Sequence, residues 1–240
     1  MTSAMPRPIA VLLPGTGSDE VFVRSVFAGP LRALGIPLIA PAPPPGAAVT
    51  SGYLRILDEF AARARSPIVV GGISLGAHLA TEWALRDPGR CAGVLAALPA
   101  WNGAPGSAPA ATAATLSAEL VSGSGVEAAL RTAVAGVQPW LAVELARAWR
   151  GHGQGLAESL RTAAGHPAPT LRALEGIPVP FGLAACADDP IHPVEVARSW
   201  AAALPNARLY ETTLTAFGAD REVLGRAAVL GWLRARSATT

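Results

Sequence analysis

The chain is expected to fold as an α/β protein, with a mostly parallel sheet covered by helices on both faces. Three observations lead there. Short apolar, β-branched runs alternate with segments of helical periodicity along most of the 240 residues. Hydrophobic residues make up 51% of the chain and charged ones 15%, enough for one sizeable core. Finally, the glycine-flanked pentapeptide Gly72-Ile73-Ser74-Leu75-Gly76 stands between one such run and one such helical segment, as a tight strand-to-helix turn requires.

Taken in order, Ile9 to Leu13 reads as the first strand and ends in Pro14-Gly15-Thr16-Gly17. A helix is expected from about Val26 to Leu34, closed by Gly35. Ile36 to Ala40 is the second strand, followed by the proline-rich turn Pro41 to Gly46. Leu54, Leu57, Phe60 and Ala64 mark one face of the next helix, with Ser51 as its N-cap. Ile68-Val69-Val70 is the strand entering the pentapeptide. Ala77, Leu79, Ala80, Trp83, Ala84 and Leu85 then follow at helical spacing up to Asp87-Pro88-Gly89. Gly93 to Leu98 is the following strand. From about Asn102 a Gly/Ala/Ser/Pro-rich stretch leads into helical patches at Val126 to Val134, Trp140 to Trp149 and Leu156 to Ala164, with no strand-like run among them. Residues 102–174 are therefore expected to form a helical cap inserted into a core made of residues 1–101 and 175–240. The sheet resumes at Val179 to Ala185, followed by a helix at Val194 to Leu204, a last strand at Ala207 to Leu214 and a terminal helix after Asp220.

Composition narrows the partners. Net charge is +2, every one of the 19 basic residues is arginine, and no basic run interleaves with aromatics, so nucleic-acid binding has no footprint here. Cys91 and Cys186 make no disulfide framework, and both fall in expected sheet strands as small buried thiols. The first residues, Met1 to Pro8, lack a long apolar stretch, and Ile9 to Leu13 is too short for a signal core or a membrane span. The expectation is a soluble, cytoplasmic protein. No metal-ligand spacing and no dinucleotide or phosphate loop stands out, so no cofactor is expected. Oligomeric state is left open.

The chemistry gathers around Ser74. At the start of a helix, unpaired N–H groups favour developing negative charge. A serine also needs a base for its proton and donors for an oxyanion. One donor is the backbone N–H of Leu75, and the other is expected from the Gly15-Thr16 turn, where Gly15 lets the backbone approach a ligand. The segment Ala184 to Ala187 leads off a strand into Asp188-Asp189-Pro190-Ile191-His192-Pro193, at the same sheet edge as Ser74. Asp189 is the better-placed acid, its following turn set by proline, and Asp188 is the fallback. Trp101, just past the strand ending at Leu98, is expected at that edge as part of an apolar pocket. Trp140, Leu141 and Trp149 are candidates to face the pocket from the cap.

On Pro14-Gly15-Thr16-Gly17, Gly72-Ile73-Ser74-Leu75-Gly76 and Asp189-Pro190-Ile191-His192-Pro193, in that order with helical material between the last two, the chain resembles the α/β-hydrolase superfamily over essentially its full length. The resemblance implies an α/β-hydrolase fold with a helical cap. It also implies a serine nucleophile at Ser74, an acid at Asp189, an oxyanion hole from Thr16 and Leu75, and esterase, thioesterase or related acyl transfer without a cofactor. The chain departs from the family at the base. The loop after the last strand, Thr215-Ala216-Phe217-Gly218-Ala219-Asp220, holds no histidine, and neither does anything after it. Asp220 is read as the N-cap of the terminal helix.

Four histidines remain. His78, one turn into the helix after Ser74, is read as structural, and His152 as solvated in a loop between cap helices. His192, on the loop of Asp189, is the first candidate base and His166 the second, with no histidine base at all as the third possibility. Two functions follow: a serine hydrolase of apolar carboxylic esters or thioesters with a displaced base, or a non-hydrolytic protein of the same fold that binds a small apolar ligand.

Overall fold

The computed structural model describes residues 8–237, so residues 1–7, which carry most of the reading of the N-terminus, lie outside the described residues. Six strands form one sheet: β1 (Ala10–Leu13), β2 (Leu38–Ile39), β3 (Ile68–Ile73), β4 (Cys91–Ala97), β5 (Phe181–Cys186) and β6 (Ala207–Thr212). Their order is β2-β1-β3-β4-β5-β6, and every described neighbouring pair is parallel. β1, β3 and β5 are buried along their whole length, which is why they read as unbroken apolar runs rather than alternating ones.

Helices cover both faces. α1 (Glu20–Ala33) and the terminal helix pack on one side, where Val23, Phe27 and Leu31 meet Leu224, Ala228 and Trp232. On the other side α2 (Val49–Arg63) and α3 (Leu75–Arg86) contribute Tyr53, Leu57, Leu79 and Trp83 to a second cluster. The segment between β4 and β5 carries α4 (Pro109–Ser124), α5 (Val126–Ala133), α6 (Pro139–His152), α7 (Leu156–Gly165) and the short α8 (Leu171–Leu174). α4 to α7 share a small core of their own around Ala118, Leu130, Trp149, Leu156 and Leu160. After β5 come α9 (Val194–Ala203), α10 (Leu214–Ala219) and α11 (Glu222–Ser237).

Several elements differ from their expected extents. α1 begins at Glu20, because the Asp19 carboxylate caps it by accepting the Phe22 N–H at 2.9 Å. α2 begins at Val49, so Ser51 lies inside its first turn and is not its cap. Val49 and Thr50 are buried, and packing starts the helix before the polar residue. α4 occupies the stretch read as Gly/Ala/Ser/Pro-rich. Its buried residues Ala111, Ala114, Ala118 and Val121 keep helical spacing, but alanine carries too little hydrophobic contrast to announce a face. α10 replaces the expected loop after β6, capped by Thr213. Asp220 accepts the Glu222 N–H at 2.9 Å, as a cap of α11 should. Cys91 and Cys186 are free and buried, and burial pushes both thiols up to about 12.

The terminal helix rests unusually close on the sheet. A Cβ on Gly182 in β5 would stand 1.8 Å from the Ala228 carbonyl oxygen and 2.5 Å from the Trp232 amide nitrogen. Both are backbone atoms that cannot rotate away. Gly182→Ala should therefore cost about 3 kcal/mol, or roughly 6–12 °C in melting temperature for a chain of this size. Thermal unfolding of the purified variant checks this, and an unchanged midpoint would contradict the packing.

The sheet register sets up the site. Leu13 pairs with Gly72, Ile73 with Ala97, and Ala97 with Ala184, so the loops after β1, β3 and β5 all leave the same carboxyl edge.

Candidate active site

Ser74 occupies the turn between β3 and α3 with φ 54° and ψ −113°, a backbone conformation that side-chain-bearing residues rarely adopt. Its N–H is tied to the Ala97 carbonyl at 2.9 Å, and its carbonyl accepts the His78 N–H at 3.1 Å. The flanking glycines are required by space. A Cβ on Gly72 or on Gly76 would lie 2.2 Å from the Leu13 carbonyl oxygen. The turn is thus wedged against β1 and held in its strained form.

Asp189 and His192 meet Ser74 from the loop after β5. The Asp189 Oδ1 accepts the Ile191 N–H at 2.8 Å and the His192 N–H at 3.1 Å, which curls the loop back on itself. The His192 ring is thereby delivered to both partners, with Nδ1 2.9 Å from Asp189 Oδ2 and Nε2 3.0 Å from Ser74 Oγ. A carboxylate can only accept, so Nδ1 donates to it and the neutral ring leaves Nε2 free to accept the Ser74 hydroxyl. Asp189 is nearly buried. Burial works to raise its pKa, but the hydrogen bond from the His192 ring and the two backbone N–H donors outweigh it and hold the carboxyl below its ordinary value.

The other expected residues are placed as follows. Asp188 accepts the Leu214 N–H at 2.7 Å, fastening α10 to the β5 loop. Leu75 is the first residue of α3, so its N–H has no acceptor within the helix. Gly15 lies against the turn, where a Cβ would stand 3.4 Å from that of Ser74, and so brings Thr16 to the same corner. Trp101 is buried with Ala100, Ala111 and Ala168, and packs edge-on to His78. His78 is fully buried and accepts the Ala100 N–H at Nε2, a structural contact as expected.

Some expectations fail. His166 does not hang over Ser74. Its Nε2 lies 2.7 Å from the Glu82 carboxylate on the flank of α3. His152 is not a solvated loop residue either, for it ends α6 and its Nε2 lies 3.0 Å from the Ser18 carbonyl oxygen. Trp140 is taken up by Phe22 and Phe217, with the Arg221 guanidinium over its ring. Trp149 belongs to the small helical core but reaches the first loop, its indole nitrogen 3.1 Å from where a Cβ on Gly17 would be. A cleft of about 570 Å³ among Val121, Val126, Gln154, Glu158 and Arg161 involves none of these residues.

Arg147 on α6 forms a two-pronged bond to the Asp19 carboxylate, at 2.8 and 2.7 Å, while the same carboxylate caps α1. Burial works to raise the Asp19 pKa, yet the Arg147 bond and the Phe22 N–H hold it below its ordinary value. Together with His152 on Ser18, Arg147 clasps the loop that carries Gly15 and Thr16. The partners stand 128 positions apart, so no local pattern could reveal the pairing.

A hydroxyl bonded to an imidazole that is itself oriented by a buried carboxylate is an arrangement in which the ring can take the hydroxyl proton. It occurs here on a parallel sheet with the serine at a strand-to-helix turn. The model of the alpha/beta hydrolase family matches residues 5–224, and the chain belongs to that family. Solved structures of similar fold include a thermophilic esterase from Thermogutta terrifontis, 16% identical over 88% of this chain and 82% of that chain, TM-score 0.66. Another is the enol-lactonase from Burkholderia xenovorans, 18% identical over 87% of this chain and 84% of that chain, TM-score 0.64. A third is a hydrolase from Oleispira antarctica, 14% identical over 88% and 84%, TM-score 0.68. At these identities the likeness is one of fold. No curated protein matches the chain. Among the described residues, no helix is long and apolar enough to cross a membrane, and no group of three or more His, Cys, Asp or Glu is placed to hold a metal ion.

Proposed function

We propose that the protein is a serine hydrolase of apolar carboxylic esters or thioesters. The observation that carries this reading is the unbroken chain of bonds from Ser74 Oγ through the His192 ring to Asp189. In the reaction, His192 Nε2 takes the hydroxyl proton as Ser74 Oγ attacks the substrate carbonyl carbon. The oxyanion is held by the backbone N–H groups of Leu75 and Thr16. The tetrahedral intermediate then expels the alcohol or thiol, which leaves with the proton from His192. Water, deprotonated by the same nitrogen, releases the acid and restores Ser74. Asp189 keeps the ring in the required tautomer and stabilises its charged form.

The non-hydrolytic reading drew its support from the want of a base for Ser74. A ring at 3.0 Å removes that support.

A fluorophosphonate probe tests the proposal, because it reacts with an activated serine and spares an idle one. Wild-type protein should be labelled within minutes and Ser74→Ala not at all. Folded wild-type protein that resists the probe would overturn the proposal.

A further inference from the structure

The turn that brings Thr16 to Ser74 is held from the helices between β4 and β5. After β1 the Ser18 N–H closes this turn on the Gly15 carbonyl at 3.1 Å, with Thr16 and Gly17 at its centre. Gly17 takes a φ of 64° there, as glycine readily does. The turn bond leaves the Thr16 N–H itself unengaged, and the next three residues are each gripped from outside. Trp149 of α6 and Leu160 of α7 lie against Gly17, the indole nitrogen 3.1 Å and the leucine Cδ2 3.2 Å from where a Cβ would stand. His152 Nε2 lies 3.0 Å from the Ser18 carbonyl oxygen. Arg147 holds both oxygens of Asp19, at 2.8 and 2.7 Å.

Of these contacts the Arg147 pair is the strongest and most directional, being charge-assisted and two-pronged. The side chains are 33% and 13% exposed, too shielded for the weak pairing found at an open surface. Glu144 on α6 pairs with the same guanidinium. The helix has other moorings as well. Trp140 packs on Phe22 and Phe217, Ser159 Oγ donates to the Gly46 carbonyl at 3.1 Å, and His166 meets Glu82. None of these contacts is made to residues 15–19, so losing Arg147 would loosen the turn without releasing α6.

We propose that Arg147 is a positioning residue of the oxyanion hole: through Asp19 it sets the turn that carries the Thr16 N–H, and the hole is complete only while α6 is docked on it. This rests on the reading of Ser74 as the nucleophile and Thr16 as an oxyanion donor. Such a donor works only where its N–H is already aimed at the place the developing charge will occupy. Asp19 lies three residues from Thr16, close enough for a shift of one to move the other. A displacement of about 1 Å at the chemistry costs about 10²-fold. The charge develops in the transition state, so the effect falls on kcat and spares ground-state binding.

Steady-state kinetics of Arg147→Ala on p-nitrophenyl acetate and p-nitrophenyl octanoate test this. kcat should fall about 10- to 100-fold on both esters alike, with KM within about twofold of wild type. Arg147→Lys keeps a cation at Asp19 and should recover part of the loss. Asp19→Asn keeps an acceptor for the Phe22 N–H and should reproduce the fall by a second route, and these two variants carry the test should Arg147→Ala not fold. Arg150→Ala breaks a pair with Glu127 on the neighbouring α5 and should leave kcat unchanged. Labelling by a fluorophosphonate, whose phosphoryl oxygen occupies the same hole, should slow by the same factor as kcat, and it decides the matter if neither ester is turned over. Unchanged kcat and labelling, a loss confined to the octanoate, a loss seen only in KM, or an equal fall in Arg150→Ala would each overturn the role. A residue that only braces the helices or shapes the acyl-binding part of the site gives those results. Wild-type protein inert to the probe and to both esters would instead overturn the hydrolase reading, and this inference with it.

Discussion

His192→Ala should lower kcat by about 10⁴- to 10⁶-fold while leaving the protein folded. The ring is the acceptor placed at the Ser74 hydroxyl, at 3.0 Å, and removing it leaves a hydroxyl with its proton. Substrate binding and the N–H groups of Leu75 and Thr16 would survive, so a residual rate above the uncatalysed one is expected. The contrasting variant is Asp220→Asn, at the place where related chains are expected to carry their histidine. Asp220 caps α11 and pairs with Arg226, and its loss should touch stability and leave turnover close to wild type. His166→Ala should likewise leave turnover unchanged, because that ring is held by Glu82. A His192→Ala protein with near-normal turnover would reject the assignment of the base. Circular dichroism separates that outcome from simple unfolding.

These residues also show how much of the molecule the sequence makes legible. Ser74 stands in a local pattern, glycines on either side of a strand-to-helix turn, and local patterns survive without knowledge of the fold. Position narrows the acid to Asp188 or Asp189, since residues just past a parallel strand share one edge with all the others, and the proline after Asp189 favours it. The direction of the His192 ring does not follow from position. It depends on the Asp189 carboxylate accepting two N–H groups of its own loop, a choice between Asp188 and Asp189 that packing of α10 decides. His166 and Trp140 fail for a related reason. Periodicity places a residue on a helix face, and the neighbouring element determines what that face meets. α4 was hidden because a helix of alanines can pack through small contacts without an apolar stripe. The clasp of Arg147 on Asp19 lay beyond reach entirely, being a contact between segments related only by the fold.

Asp189→Asn should lower kcat by about 10⁴-fold through a change of tautomer rather than of shape. The asparagine carbonyl can still accept the Ile191 and His192 backbone N–H groups, so the loop should keep its curl. Its amide, however, can present a donor toward Nδ1, which favours the tautomer with the proton on Nε2, the wrong nitrogen for accepting from Ser74. The same substitution has a signature in stability. The folded-state carboxyl is held below the unfolded value of about 3.9, so its stabilisation is fully present above that value and is lost as pH falls through the folded pKa. Wild-type and Asp189→Asn proteins should therefore differ in denaturation midpoint at neutral pH and converge as the pH falls below the folded-state pKa of Asp189. A constant gap across that range would mean that Asp189 contributes packing and not charge, and the orienting role assigned to it would fall with that result. Convergence together with the loss in kcat would tie the stability of the loop and the activation of Ser74 to one ionised carboxylate.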